Sequence, residues 1–286
     1  MQPEIESFFD SDTCTWTHLI RDHRAAQAVI IDPVLDFDAA SASISMQSAD
    51  RLLALLAAEQ LDLAWILETH AHADHLSAGD YLRGRTGARI AIGRGIVDVQ
   101  RHFKAIFGLG DEFAADGSQF DRLLDDGDTL PLGDRVIAAI ATPGHTADSL
   151  SYHIGDALFV GDTVFAPDVG TARCDFPGGD AATLFASIQK LYALPENTRV
   201  FLCHDYPPPQ RSARAEFALG AIAGGNRQLQ RDTPADDFIA FRKQRDASLS
   251  MPRLILPALQ VNIRAGALPA PDANGTRYLR LPLRVP

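Results

Sequence analysis

Residues 69–75 read Thr69-His70-Ala71-His72-Ala73-Asp74-His75 and follow at once on the apolar run Leu63–Leu67. That run has the length and bounds of a short buried strand. Imidazole and carboxylate are the ligand types of borderline first-row metals. In an extended segment His70 and His72 point the same way, because side chains repeat every second residue. The pattern from Asp74 to Arg83 predicts a helix, with Ser77 and Asp80 spaced like a capping box. Asp74 and His75 then stand at a helix start and face the same place from the other side.

Three more segments obey the same rule, a short apolar strand followed directly by a ligand-type residue. His145 follows Val136–Ala141, Asp162 follows Leu158–Val160, and His204 follows Val200–Cys203. Strand ends on one sheet edge gather side chains from distant positions, and ligands favour such edges. One sub-site can use His70, His72 and His145, the other Asp74, His75 and His204, with Asp162 between them. A lone histidine at a strand end is usually a hydrogen-bonded structural residue. A purely structural role for all of these side chains together would bury several polar groups with nothing to offset their desolvation. Metal binding is the reading that removes that cost.

Outward from these motifs, strand and helix segments interleave. Thr13–Ile20 and Ala28–Ile31 read as a hairpin, closed by Asp32-Pro33. Ala49–Glu59, Gly95–Phe107, Ala181–Leu191, Ala213–Ala223 and Asp236–Arg245 predict helices. Arg89–Ile92 predicts a strand, and Leu150–Ile154 with Leu158–Val160 a second hairpin over Gly155-Asp156. This interleaving argues for one α/β domain over residues 1–286. The segment from about Ser250, with six prolines from Met251 on, is expected to be an ordered wrap or a peripheral extension.

Composition limits the function classes. Of 286 residues, 46% are hydrophobic, enough for a sizeable core. Lys and Arg total 26 against 37 Asp and Glu, a net charge of −11. Such a chain repels phosphate backbones, and its densest basic stretch (Arg242, Lys243, Arg245) is interleaved with Gln and Asp, so no nucleic-acid partner is expected. No apolar run approaches the ~18–20 residues of a membrane span. The stretch Met1–Asp12 holds four acidic residues and no basic one, the wrong charge for a secretory or mitochondrial leader. Cys14, Cys174 and Cys203 are odd in number and far apart, which fits a reducing compartment. A cytoplasmic protein is the expectation.

The motifs at 69–75, Thr142-Pro143-Gly144-His145-Thr146, Gly161-Asp162-Thr163 and Cys203-His204-Asp205-Tyr206 together resemble the metallo-β-lactamase superfamily. The resemblance implies an αββα sandwich of two mixed sheets flanked by helices, with a metal site at one edge. Fold alone does not set the reaction.

Further segments resemble the persulfide dioxygenase (sulfur dioxygenase) branch. They are Arg173-Cys174-Asp175-Phe176, His204-Asp205-Tyr206, Leu254-Ile255-Leu256-Pro257 and Asn262-Ile263-Arg264-Ala265-Gly266. Phe241–Asp246 is similar to the bacterial stand-alone members. This likeness implies one Fe(II) per chain held by His70, His145 and Asp162, a two-His-one-carboxylate set with open positions. The implied reaction is oxidation of glutathione persulfide by O₂ to sulfite and glutathione, in sulfide detoxification. His72, Asp74, His75, His204 and Asp175 are then outer groups or a second metal set; Asp175 also reads as a plain turn or capping residue. Arg173 and Tyr206 match positions that contact glutathione. The alternative is a Zn(II)-dependent thioester hydrolase of glyoxalase II type, cleaving S-acyl-glutathione. Cys174 and Cys203 read as relay thiols or small core residues. Phe103–Phe120 reads as a lid, a dimer surface or core, which keeps a homo-oligomer among the expected partners.

Overall fold

The computed structural model describes residues 2–283. In chain order the first half contains β1 (Glu4–Asp10), β2 (Thr15–Asp22), β3 (Gln27–Ile31), β4 (Val34–Asp38), β5 (Ser43–Ser45), α1 (Gln47–Ala58), β6 (Asp62–Leu67), β7 (Leu76–Ser77), α2 (Gly79–Thr86), β8 (Arg89–Gly93), α3 (Ile96–Ile106) and β9 (Arg122–Leu124). The second half contains β10 (Thr129–Leu132), β11 (Arg135–Ala141), β12 (Leu150–Ile154), β13 (Ala157–Phe159), α4 (Ala181–Tyr192), β14 (Arg199–Phe201), β15 (Glu216–Ala218), α5 (Leu219–Gly225), α6 (Ala235–Asp246) and α7 (Ile255–Asn262).

Two six-stranded mixed sheets result, β1-β2-β3-β6-β8-β9 and β10-β11-β12-β13-β14-β15, with a small sheet β5-β4-β7 beside them. Alternation along single strands builds the layers. Val29, Ile31, Trp65 and Leu67 face Ile137, Tyr152, Phe159 and Phe201 across the gap between the sheets. Their neighbours Ala28, Ile30 and Ile66 point the other way, onto Leu52, Leu56, Leu82, Phe103 and Leu259 of the helices. Leu158 and Val200 likewise meet Leu184, Ile188, Ile222 and Phe238 outside the second sheet. Each fully buried Val, Leu, Ile or Phe among them contributes about 1.5–3 kcal/mol. This is the expected αββα sandwich.

Several local expectations are corrected. The helix expected over Asp74–Arg83 begins only at Gly79. Residues 76 and 77 instead pair with β4, and Ala78 N donates to Pro33 O, so tertiary hydrogen bonds take the backbone groups that a helix would need. The capping box does not form: Ser77 Oγ donates to Glu68 and accepts from Gly79 N, while Asp80 pairs with Arg83. Ala213–Ala223 is not one helix, because Glu216–Ala218 adds to the sheet edge beside β14. Strand β1, hidden behind its acidic residues, pairs along its whole length with β2. The segment after residue 250 divides. Helix α7 buries Ala258, Leu259 and Val261 in the core, whereas Tyr278, Leu281 and Leu283 are exposed. Phe103, Phe107, Phe113 and Phe120 are core residues. Cys174 and Cys203 are buried free thiols and Cys14 is a half-buried one. Among the described residues no helix is long and apolar enough to cross a membrane.

The topology places the site. Strands β13 and β14 are parallel, and β11 reaches them through two antiparallel steps, so all three run in one sense. Their carboxyl ends share one edge. The loop after β6 comes to it from the other sheet, and Leu150 N, bonded to Thr69 O, ties the two sheets together there.

Candidate metal centre

At that edge His70, His145 and Asp162 form one buried group whose ligand atoms all lie within 4.8 Å of one another. The Nε2 atoms of His70 and His145 lie 3.9 and 3.7 Å from Asp162 Oδ2, too far for hydrogen bonds. Beside it His72, His75, Cys203 and His204 form a second such group, and Asp32, Glu68 and His72 a third. The two halves touch at Asp162, whose Oδ1 is 3.4 Å from His204 Nε2. Asp74 Oδ2 lies 3.1 Å from the same nitrogen. Residues 70–75 are irregular rather than extended. His72 turns its Nε2 to Asp32, and its ring centroid is 4.1 Å from those of both His70 and His75.

Each histidine is held from behind. His145 Nδ1 donates to Arg173 O (2.7 Å) and His72 Nε2 to Asp32 Oδ1 (3.0 Å). His75 Nδ1 donates to Leu76 O and His204 Nδ1 to Cys14 O, both at 3.2 Å. His70 Nδ1 donates to Thr69 Oγ1 (3.1 Å), which itself donates to Asp32 Oδ2 (2.9 Å). A donated rear proton leaves the other ring nitrogen with a lone pair facing inward. His70 Nε2, His72 Nδ1, His75 Nε2, His204 Nε2 and Asp162 Oδ1 are all buried without a hydrogen-bond partner.

Burial and the facing charges together set the protonation states. Burial holds His70 and His72 well below the ordinary histidine range, and the neighbouring imidazoles add to this. Burial lowers His75 as well. For His204 burial acts the same way, but Asp162 and Asp74 outweigh it and raise the pKa. Burial raises Asp162. Burial also raises Asp74, yet the facing histidines outweigh it and lower the carboxyl. Neutral imidazoles are the ligand-competent form. Leaving a buried polar atom unpaired costs about 1–3 kcal/mol. Convergent orphan atoms of this chemistry fit a bound cation, which removes the cost.

The site opens into a cleft of about 460 Å³ lined by Asp74, His145, Asp162, Arg173, Phe176, Tyr206, Arg245 and Arg253 among others. Arg173 faces it with its guanidinium engaged: both oxygens of Asp175 accept from it at 2.6 Å, and Ser250 O accepts at 2.7 Å. Tyr206 stacks on His204 with ring centroids 5.8 Å apart. Arg245 and Arg253 form no ion pair among the described residues.

The structure gives supporting roles at the site to residues that the sequence motifs leave without one. Asp32 supports both Thr69 and His72. It follows the end of β3 just as His70 follows β6, a signal masked by the turn residue Pro33. Asp148 Oδ2 accepts from Ala71 N (2.8 Å). Glu68, pushed up to about 8 by burial and then by Asp32, accepts from Ser77. Asn262 reaches the loop from α7. Arg242 and Asp246 form a buried ion pair behind the cleft.

The chain is 49% identical over 98% of its length to a probable metallo-hydrolase of Burkholderia pseudomallei, covering 98% of that protein. It is 44% identical to Glyoxylase B2 of Dictyostelium discoideum, over 98% of this chain and 97% of that one. Against the mitochondrial persulfide dioxygenase ETHE1 of Bos taurus identity is 30%, over 71% of this chain and 68% of that one. Among solved structures, ETHE1 from Myxococcus xanthus superposes with a TM-score of 0.74 at 30% identity, over 92% of this chain and all (100%) of that one. The family model of the metallo-beta-lactamase superfamily matches residues 15–204, the span that carries every histidine and carboxylate of the two facing sub-sites, and the chain belongs to that superfamily.

Proposed function

We propose that the chain is a persulfide dioxygenase that uses one iron held by His70, His145 and Asp162. The observation that carries this reading is the buried three-residue group itself, two imidazoles and one carboxylate at one point, opening on a cleft. Similarity to a protein named persulfide dioxygenase supports it. The donor set suits Fe(II), which when bound supplies the redox chemistry and open coordination positions.

The overall reaction is glutathione persulfide plus O₂ and H₂O giving glutathione, sulfite and two protons. The outer sulfur loses four electrons and O₂ gains four. The protein's part is geometry, access and charge. The carbonyl of Arg173 and the Thr69–Asp32 pair hold the His145 and His70 rings. Phe176, its ring centroid 5.3 Å from that of His145, shields one side of the group. The cleft orients the substrate against the group, which turns a bimolecular encounter into an intramolecular one. Arg173, already on Asp175, gives the wall its shape. Arg245 and Arg253 bring uncommitted positive charge for substrate carboxylates, and Tyr206 a hydroxyl for hydrogen bonding. Truncating either free arginine is expected to raise KM for an anionic persulfide with little change in kcat.

A second reading, a binuclear thioester hydrolase, is favoured by one observation: His72, His75 and His204 form a second buried group beside the first, next to Asp74. Similarity to proteins named metallo-hydrolase and Glyoxylase B2 points the same way. One experiment separates the two. The purified protein is given glutathione persulfide and, separately, an S-acyl-glutathione. Sulfite formation with matched O₂ loss supports the dioxygenase; thiol release from the thioester with no O₂ loss overturns it.

A further inference from the structure

Asn262 lies at the end of α7, well outside the 15–204 span that the superfamily model matches. Its side chain is 4% exposed and fully engaged. Nδ2 donates to His72 O and to His75 O, both at 2.8 Å. Oδ1 accepts from Ser77 N, also at 2.8 Å. All of its polar contacts therefore fall on the loop that carries His70, His72, Asp74 and His75.

One amide nitrogen bonded to carbonyls three residues apart sets the span of the chain between them. The intervening Ala73 and Asp74 line the cleft, and Asp74 Oδ2 lies 3.1 Å from His204 Nε2. We propose that Asn262 is the positioning residue of the metal loop, holding residues 72–77 in the arch that presents Asp74 and His75 to the centre. This rests on the reading of that loop as metal-binding.

The register of α7 against the loop is set at a second point. Gly266 (φ +86°) packs so closely that a Cβ there would lie 2.8 Å from Ser77 O and 3.0 Å from both Gly79 N and Asp80 N. A Cβ on Gly79 would in turn lie 3.2 Å from Ala265 O. The helix end and the loop exit thus touch backbone to backbone, and Asn262 cannot slide along the loop. Inside α7 the apolar faces of Ala258, Leu259 and Val261 hold the helix in the core, which keeps the amide in place. Gln260, two residues earlier, does something else: its side chain bonds Leu256 O and the backbone of Arg280 in the C-terminal segment.

The difference between these two neighbours supplies the test. Asn262→Asp keeps the size but cannot donate to either carbonyl, and Asn262→Ala removes the clamp. Gln260→Ala loosens the same helix without touching the loop. Metal retention is measured by chelator competition, and amide hydrogen exchange of residues 72–78 is measured on the metal-free protein. Both Asn262 variants are expected to release metal about 10–100-fold more readily and to exchange faster within residues 72–78, with Ser77 N most affected in Asn262→Ala, which alone removes its acceptor. Gln260→Ala is expected to lower Tm with metal retention unchanged. If the Asn262 variants do not fold, Gly266→Ala, which forces the helix off the loop with the amide intact, is expected to show a smaller shift of the same sign. Folded Asn262 variants with wild-type exchange and retention would overturn the proposal, as would a loss in Gln260→Ala as large as theirs. A wild-type protein that holds no metal would overturn the metal reading, and the exchange of residues 72–78 would still decide the clamp.

Discussion

His145 Nδ1 donates to the main-chain carbonyl of Arg173 at 2.7 Å, so the arginine's backbone, not its guanidinium, orients the ring. The guanidinium is turned the other way, onto Asp175. Arg173→Ala is therefore expected to keep its metal through dialysis against a chelator that strips His145→Ala. Equal loss in the two variants would mean that the side chain holds the ring.

Asp32 accepts from Thr69 N, Thr69 Oγ1 and His72 Nε2. An amide in its place keeps the shape and can accept on one side only. Groups of this kind behind a ligand are worth about 10–100-fold in metal affinity. Asp32→Asn is expected to weaken metal binding by that factor in competition with a fluorescent chelator, and unchanged affinity would contradict the role.

Arg242 and Asp246 are 2% and 5% exposed. Asp246 Oδ1 accepts from Arg242 at 2.6 Å, and Oδ2 accepts from Cys174 N at 2.8 Å. Removing one partner of a buried pair leaves an uncompensated charge, at about 3–5 kcal/mol. Urea unfolding of Asp246→Ala should show a loss of that order. A change under 1 kcal/mol, on the order of a surface pair, would mean that the site is wet.

His18 is neutral in the fold, its pKa lowered by burial from 6.5 to about 4. Its Nε2 donates to Leu202 O, and Ser7 Oγ donates to Nδ1. A depressed folded value means that the unfolded chain takes up the proton first as pH falls. The stabilisation is complete above pH 6.5 and is lost between 6.5 and about 4, by about 3 kcal/mol in all. His18→Gln keeps a donor for Leu202 O and removes the titration. The stability difference between wild type and variant should shrink by that amount from pH 7 to pH 4; a constant difference would contradict the assignment.

Much of the sandwich is legible in the sequence because its central strands carry their own signal. Leu63–Leu67, Val136–Ala141 and Leu158–Val160 are short apolar runs that stop at polar residues, and those stops are the metal-edge loops. What is not legible is set by partners far away. Asp74–Arg83 reads as helical, yet Pro33, β4 and Asn262 take the backbone groups of residues 76–78 for other bonds. The segment Asn262–Gly266 stands out by family resemblance, but the role of Asn262 does not, since its partners lie 185 to 190 positions earlier. Asp32 is the intermediate case: it obeys the strand-end rule, but a following proline makes a turn an equally good reading.

The most direct test of the single-iron centre is a titration of metal-free protein with ferrous ion under nitrogen, followed by O₂ uptake with glutathione persulfide. The account predicts a rate that rises linearly, breaks at one iron per chain, and is absent in Asp162→Ala. A break at two metals per chain, or full activity restored by zinc alone, would contradict it.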